Sequence, residues 1–72
     1  LIGGILINKR LRSIGKGRTM LECALRDESG IFHAIFFNMP FLEKNLRLGT
    51  DYTLFGKMKW RNGAKTIVNP EM

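Results

Sequence analysis

Between Thr19 and Phe37 the chain alternates with a period of two, and this alternation most limits what it can fold into. Leu21, Cys23 and Leu25 fall on one side of the segment Thr19 to Arg26, while Met20, Glu22, Ala24 and Arg26 fall on the other. A helix would scatter those positions around its axis, whereas a strand gives each set a face of its own. Asp27-Glu28-Ser29-Gly30 has turn composition: Asp and Ser bond to nearby backbone, and Gly accepts positive φ. Ile31 to Phe37 reads as the next strand and is apolar on both sides. Phe32, Ala34 and Phe36 share one face; Ile31, His33, Ile35 and Phe37 share the other.

The flanking segments extend the pattern. Leu1 to Leu11 is rich in Ile and Leu and predicts a first strand, with a bulge or tight bend at Gly3 and Gly4. Ser13 to Arg18, punctuated by Gly15 and Gly17, predicts a turn. Pro40 to Leu48 changes period, and Pro40 suits the first turn of a short helix that Gly49 can stop. Asp51 to Trp60 predicts a fourth strand, with Tyr52, Leu54, Gly56 and Met58 on one face. Asn62-Gly63 is a hairpin signal, because both residues accept positive φ. Thr66 to Asn69 predicts a short fifth strand ended by Pro70. Three strands, a short helix and two more strands is the plan of the OB-fold, an all-β, five-stranded, partly open Greek-key barrel. An SH3-like barrel competes, and the position of the helix argues against it.

Size and charge narrow the function. A chain of 72 residues holds one domain, expected to span residues 1–72. The hydrophobic pattern begins at Leu1, so the expectation is a domain taken from a longer protein. One cysteine, Cys23, permits no internal disulfide, and with a single histidine, His33, a four-ligand zinc site cannot be assembled. A lone thiol fits a reducing compartment. The apolar runs are too short to span a bilayer, so no membrane partner is expected. Twelve Lys and Arg against six Asp and Glu give a net charge of +6, which suits a polyanionic partner.

No catalytic residue is expected. The Ser, His and acidic residues form no triad pattern, and no pair of acids is placed for general acid–base work. Gly15-Lys16-Gly17-Arg18 lacks the spacing of a phosphate-binding loop and lies between strands, so a hairpin loop accounts for it. Cys23 alternates with Leu21 and Leu25 and reads as a small core residue. His33 reads as a partly exposed strand residue. No metal ligand and no cofactor is assigned to these 72 residues.

Binding has more support. Phe37 and Phe41 flank Asn38-Met39-Pro40. Either they offer flat surfaces to bases, or Phe41 packs the helix onto the barrel and Phe37 covers its end; pattern alone allows both. Trp60 lies between Lys59 and Arg61, as a further stacking candidate or as a loop tip. Basic residues gather at Lys9, Arg10 and Arg12; at Lys16 and Arg18; and at Lys57, Lys59, Arg61 and Lys65. The last two groups fall in or beside the first hairpin loop and the loop before the final strand. Those loops flank the binding face of OB-folds, where the six cations Lys16, Arg18, Lys57, Lys59, Arg61 and Lys65 could hold a phosphate backbone.

The runs Leu25-Arg26-Asp27-Glu28-Ser29-Gly30-Ile31 and Phe36-Phe37-Asn38-Met39-Pro40-Phe41-Leu42 are followed by Leu48-Gly49, Phe55-Gly56-Lys57 and Asn69-Pro70-Glu71. In that order they resemble the wedge domain of the RecG family of bacterial ATP-dependent DNA helicases. The first turn recurs in many OB-folds, including those of class II lysyl- and aspartyl-tRNA synthetases; the second run with the closing Asn-Pro-Glu is more particular. The resemblance implies a wedge that splits branched DNA, such as stalled replication forks and Holliday junctions, while motor domains of the same parent chain translocate using ATP and Mg. The family's two stacking aromatics fall on Phe37 and Phe41. Phe41 stands where Tyr is frequent, keeping the ring and dropping the hydroxyl; Asn69 stands where His is usual. The resemblance further implies a monomer working in recombination and repair in the bacterial cytoplasm, at the nucleoid. A generic OB-fold RNA or tRNA-binding module is the alternative.

Overall fold

A computed structural model describes all of residues 1–72. The elements are β1 (Ile2–Gly15), β2 (Arg18–Asp27), β3 (Gly30–Phe37), α1 (Leu42–Asn45), β4 (Asp51–Leu54), β5 (Met58–Arg61) and β6 (Ala64–Val68). They form a six-stranded sheet in the order β4-β1-β2-β3-β6-β5, antiparallel except where β3 meets β6. The chain is all-β with one short helix between the third and fourth strands, as the alternation predicts. The sheet curls into a half-barrel of OB-fold type.

Alternation decides the core. Leu21, Cys23 and Leu25 of β2 and Phe32, Ala34 and Phe36 of β3 all point inward and are buried. Leu6, Leu54 and Ile67 complete the barrel interior, and Leu42 and Leu46 join the same cluster from α1 and the residue after it. At the turn after β2, the Asp27 carboxylate accepts bonds from the Ser29 amide (2.8 Å) and hydroxyl (2.7 Å). The Ser29 hydroxyl, then its amide, hold that carboxyl below its ordinary range.

Several boundaries differ from the sequence expectation, each for a local reason. β1 runs on to Gly15, and only Lys16 and Gly17 turn the chain. Ser13 pairs with Thr19 and Gly15 with Arg18, so polar residues continue the ladder as an exposed ribbon. The ladder irregularities on the β1 side fall between Leu6 and Asn8 and between Ser13 and Gly15, not at Gly3 and Gly4. Gly4 serves packing instead: a Cβ there would lie 2.8 Å from the Phe32 ring. The helix is shorter than Pro40 to Leu48. Leu46 is already extended, with φ −86° and ψ 132°, so Gly49 does not end it.

The expected fourth strand is broken in two. β4 pairs with β1 at one edge of the sheet, and β5 pairs with β6 at the other. Phe55, Gly56 and Lys57 carry the chain between those edges, and this covalent crossing is what curls the sheet. A Cβ at Gly56 would approach Ile67 Cδ1 to 2.9 Å, so the crossing is packed tightly on the core. Phe55 instead bridges Glu71 through two backbone bonds, of 2.7 and 2.9 Å. The last hairpin forms as predicted, with positive φ at both Asn62 (50°) and Gly63 (79°). The final strand begins at Ala64 and ends before Asn69, which has left extended geometry with φ 47°.

Candidate functional site

The convex side of the sheet follows from register. Residues directly opposite each other share a face. Met20 faces Phe37, Glu22 faces Ile35, Ala24 faces His33, and Arg26 faces Ile31. On the β1 side Arg10 stands opposite Glu22 and Arg12 opposite Met20. On the other side His33 pairs with Thr66, which pairs in turn with Lys59. The result is a band of half-buried His33, Ile35 and Phe37 along β3, flanked by cations on both sides.

Phe37 ends that band, and the chain then turns sharply. Asn38 takes φ 57°; its amide bonds to the Thr19 carbonyl at 2.9 Å, and its Oδ1 accepts from the Thr19 amide at 3.3 Å. The turn is thus fastened to the start of β2. Pro40 and Phe41 form a tight first turn ahead of α1, with the Glu43 amide donating to Pro40 at 3.2 Å and the Lys44 amide to Phe41 at 3.3 Å. Phe41 is 60 % exposed, whereas the next residue, Leu42, is 8 % exposed. Leu42 and Leu46, not Phe41, seat the helix on the barrel.

Lys16 and Arg18 lie at the tip of the β1–β2 ribbon, at the same end of the sheet as Phe37. Lys57, Lys59, Arg61 and Lys65 belong to the crossing segment and the β5–β6 hairpin. Because β6 runs parallel to β3, that hairpin lies toward the opposite end, near the Asp27–Gly30 turn. Lys65 is close enough to contribute to the low pKa of Asp27. Lys16 and Arg18 at one end and Lys59 and Arg61 at the other therefore bracket the length of the β2–β3 face, about 25 Å for eight residues of strand, instead of meeting at one point, while Lys65, opposite Trp60, lies on the other side of the sheet. Trp60 is 70 % exposed but alternates with Lys59, on the side of Met58 and Ile67. The structure does not bring it to the face that carries Phe37.

Sequence reasoning also left residues out of the site. Arg10 and Arg12 reach the convex face because the irregularity before Asn8 resets the alternation of β1, and Arg26 is there by the regular alternation of β2. Arg12 bonds to Glu22 at 3.1 Å; Arg10 and Arg26 are in no ion pair. Lys9, grouped by sequence with Arg10 and Arg12, turns the other way. Its ammonium binds the Glu43 carbonyl and, at 2.8 Å, the Leu46 carbonyl at the end of α1.

Residues 1–72 match the tRNA_anti-codon family, described as an OB-fold nucleic acid binding domain. The chain belongs to that family. No curated protein and no solved structure matches it. As an OB-fold nucleic acid binding domain, it presents along β2 and β3 the surface by which such folds hold oligonucleotides. Cations here can neutralise phosphates, and the exposed Phe41 ring together with Phe37 can take a base against a flat face.

Proposed function

We propose that this OB-fold domain is the wedge of a RecG-like ATP-dependent DNA helicase, and that residues 1–72 are one domain of a longer chain. The observation that carries the reading is the pair Phe37 and Phe41, held on either side of a fastened turn with Phe41 free of the core. The motif around that pair is the part of the sequence most particular to RecG wedges. At a branch point the two rings would stack on the terminal bases of the parting strands. Unstacking a base costs a few kcal/mol. Each base–aromatic stack returns about 1–3 kcal/mol, so two rings offset much of that cost and oppose reannealing.

In this reading the domain splits strands passively. ATP and Mg belong to motor domains of the same parent chain, which pull duplex DNA against the wedge. The cations Lys16 and Arg18 at one end and Lys57, Lys59 and Arg61 at the other would hold phosphates, whereas Lys65 lies on the side of Trp60. The domain acts as a monomer on forked or branched DNA in the bacterial cytoplasm, in recombination and repair. A second reading, a generic OB-fold module for RNA, draws on the tRNA_anti-codon family match.

Fluorescence anisotropy with forked, duplex and single-stranded DNA and an RNA stem-loop separates the two. The wedge reading expects the fork to bind tightest. Phe37→Ala with Phe41→Ala should remove that preference while leaving the circular dichroism spectrum unchanged. Tightest binding to the RNA stem-loop would establish the alternative, and equal fork binding by wild type and double variant would exclude the stacking role.

A further inference from the structure

We propose that Asn69 is a positioning residue for Phe37, its side chain standing in for a missing strand carbonyl. β3 and β6 pair in parallel as far as Ile35 and Val68. The ladder takes one more step, with the Asn69 amide donating to the Ile35 carbonyl at 2.7 Å. In a regular parallel ladder the next bond would run from the Phe37 amide to the Asn69 main-chain carbonyl. Asn69 has turned to φ 47°, and that carbonyl does not receive it. The Phe37 amide donates instead to Asn69 Oδ1, at 2.9 Å.

The choice of residue follows from the geometry. A position at positive φ favours Gly, Asn or Asp, and only a side chain with a near carbonyl-type oxygen can also accept the bond. Asn69 does both, and Pro70 behind it is buried, which anchors the turn. From the other flank Asn38 fastens the residue after Phe37 to Thr19. The Phe37 backbone is therefore held on both sides at the point where its strand ends. Fixing the backbone there narrows the directions in which the Phe37 ring can project. The inference rests on the reading of Phe37 as a stacking residue.

Two variants of the 72-residue chain test it. Asn69→Gly keeps the left-handed backbone and deletes the acceptor. Asn69→Asp keeps the acceptor and tolerates the backbone. By amide hydrogen exchange, Phe37 should lose protection about tenfold or more in Asn69→Gly, keep it in Asn69→Asp, and leave core amides such as Leu21 and Ala34 unchanged in both. In fork binding, Asn69→Gly should weaken affinity by about three- to tenfold, a part of the roughly 5- to 150-fold that a whole lost stack costs, and should add nothing to Phe37→Ala. Unchanged Phe37 protection in Asn69→Gly overturns the proposal. So does an equal loss of affinity with and without the Phe37 ring, because Asn69 would then act elsewhere. If Phe37→Ala binds forks like wild type while the exchange result holds, the stacking reading falls and Asn69 still positions the strand end.

Discussion

Cys23 shows how one residue records its surroundings. It sits on the inner face of β2, opposite Lys9 on one side and Ala34 on the other. Burial pushes its thiol up to about 11, against a smaller opposing pull from the charge of Lys9. The unfolded chain would release that proton near pH 9.0, while the folded chain keeps it to about pH 11. Between those values the unfolded state binds fewer protons, so this group's contribution is complete below pH 9.0 and is lost as pH rises toward 11. About two pKa units correspond to about 2–3 kcal/mol. Urea unfolding of wild type and Cys23→Ala at several pH values should show the extra fall in stability only in the wild type. Parallel curves would mean that the thiol is not buried as described.

Among the elements, α1 is too short to be stable alone, since four residues cannot repay helix nucleation. Neighbouring elements fix it. Leu42 and Leu46 pack against the barrel, and the Arg47 amide donates to the Tyr52 hydroxyl at 2.8 Å. The Lys9 ammonium joins the carbonyls of Glu43 and Leu46 and lies 3.5 Å from the Glu43 carboxylate. A cation at a helix C-terminus is favourable, and charge-assisted bonds contribute about 1.5–3 kcal/mol each before solvent exposure reduces them. Lys9→Met keeps the apolar stem and deletes the charge. It should lower stability by about 1–2 kcal/mol and speed amide exchange at Leu46 more than at Leu21. An unchanged exchange rate at Leu46 would assign the hold on α1 to packing alone.

Across the whole molecule, charge is placed at both ends of one face. The +6 net charge is not spread evenly: Lys16 and Arg18 mark one end of the β2–β3 surface, and the β5–β6 hairpin marks the other. If a nucleic acid runs along that face, each cation contacting a phosphate contributes about 0.7–0.9 to the slope of log K against log salt. Lys16→Ala with Arg18→Ala, and Lys59→Ala with Arg61→Ala, should each flatten the slope, and the four changes together should act additively. A slope altered by only one pair would place the backbone at that end of the face alone.

Much of this protein was legible without coordinates because alternation is a local property. The faces of β2 and β3, the buried Cys23, the Asn62-Gly63 hairpin and the helix between the third and fourth strands all follow from side-chain period and turn chemistry. So does the position of Phe37 opposite the face of Phe36. What only the tertiary structure decided depends on residues distant in sequence. Gly56 breaks a continuous strand pattern where the chain crosses between the sheet edges against Ile67, and nothing within the segment announces that contact. Lys9 reads as one of three neighbouring cations, and its separate role is set by carbonyls more than thirty residues away. Asn69 reads as a strand end until its side chain is seen on the amide of Phe37. Period assigns a residue to a face, but a partner across the barrel decides what that residue does there.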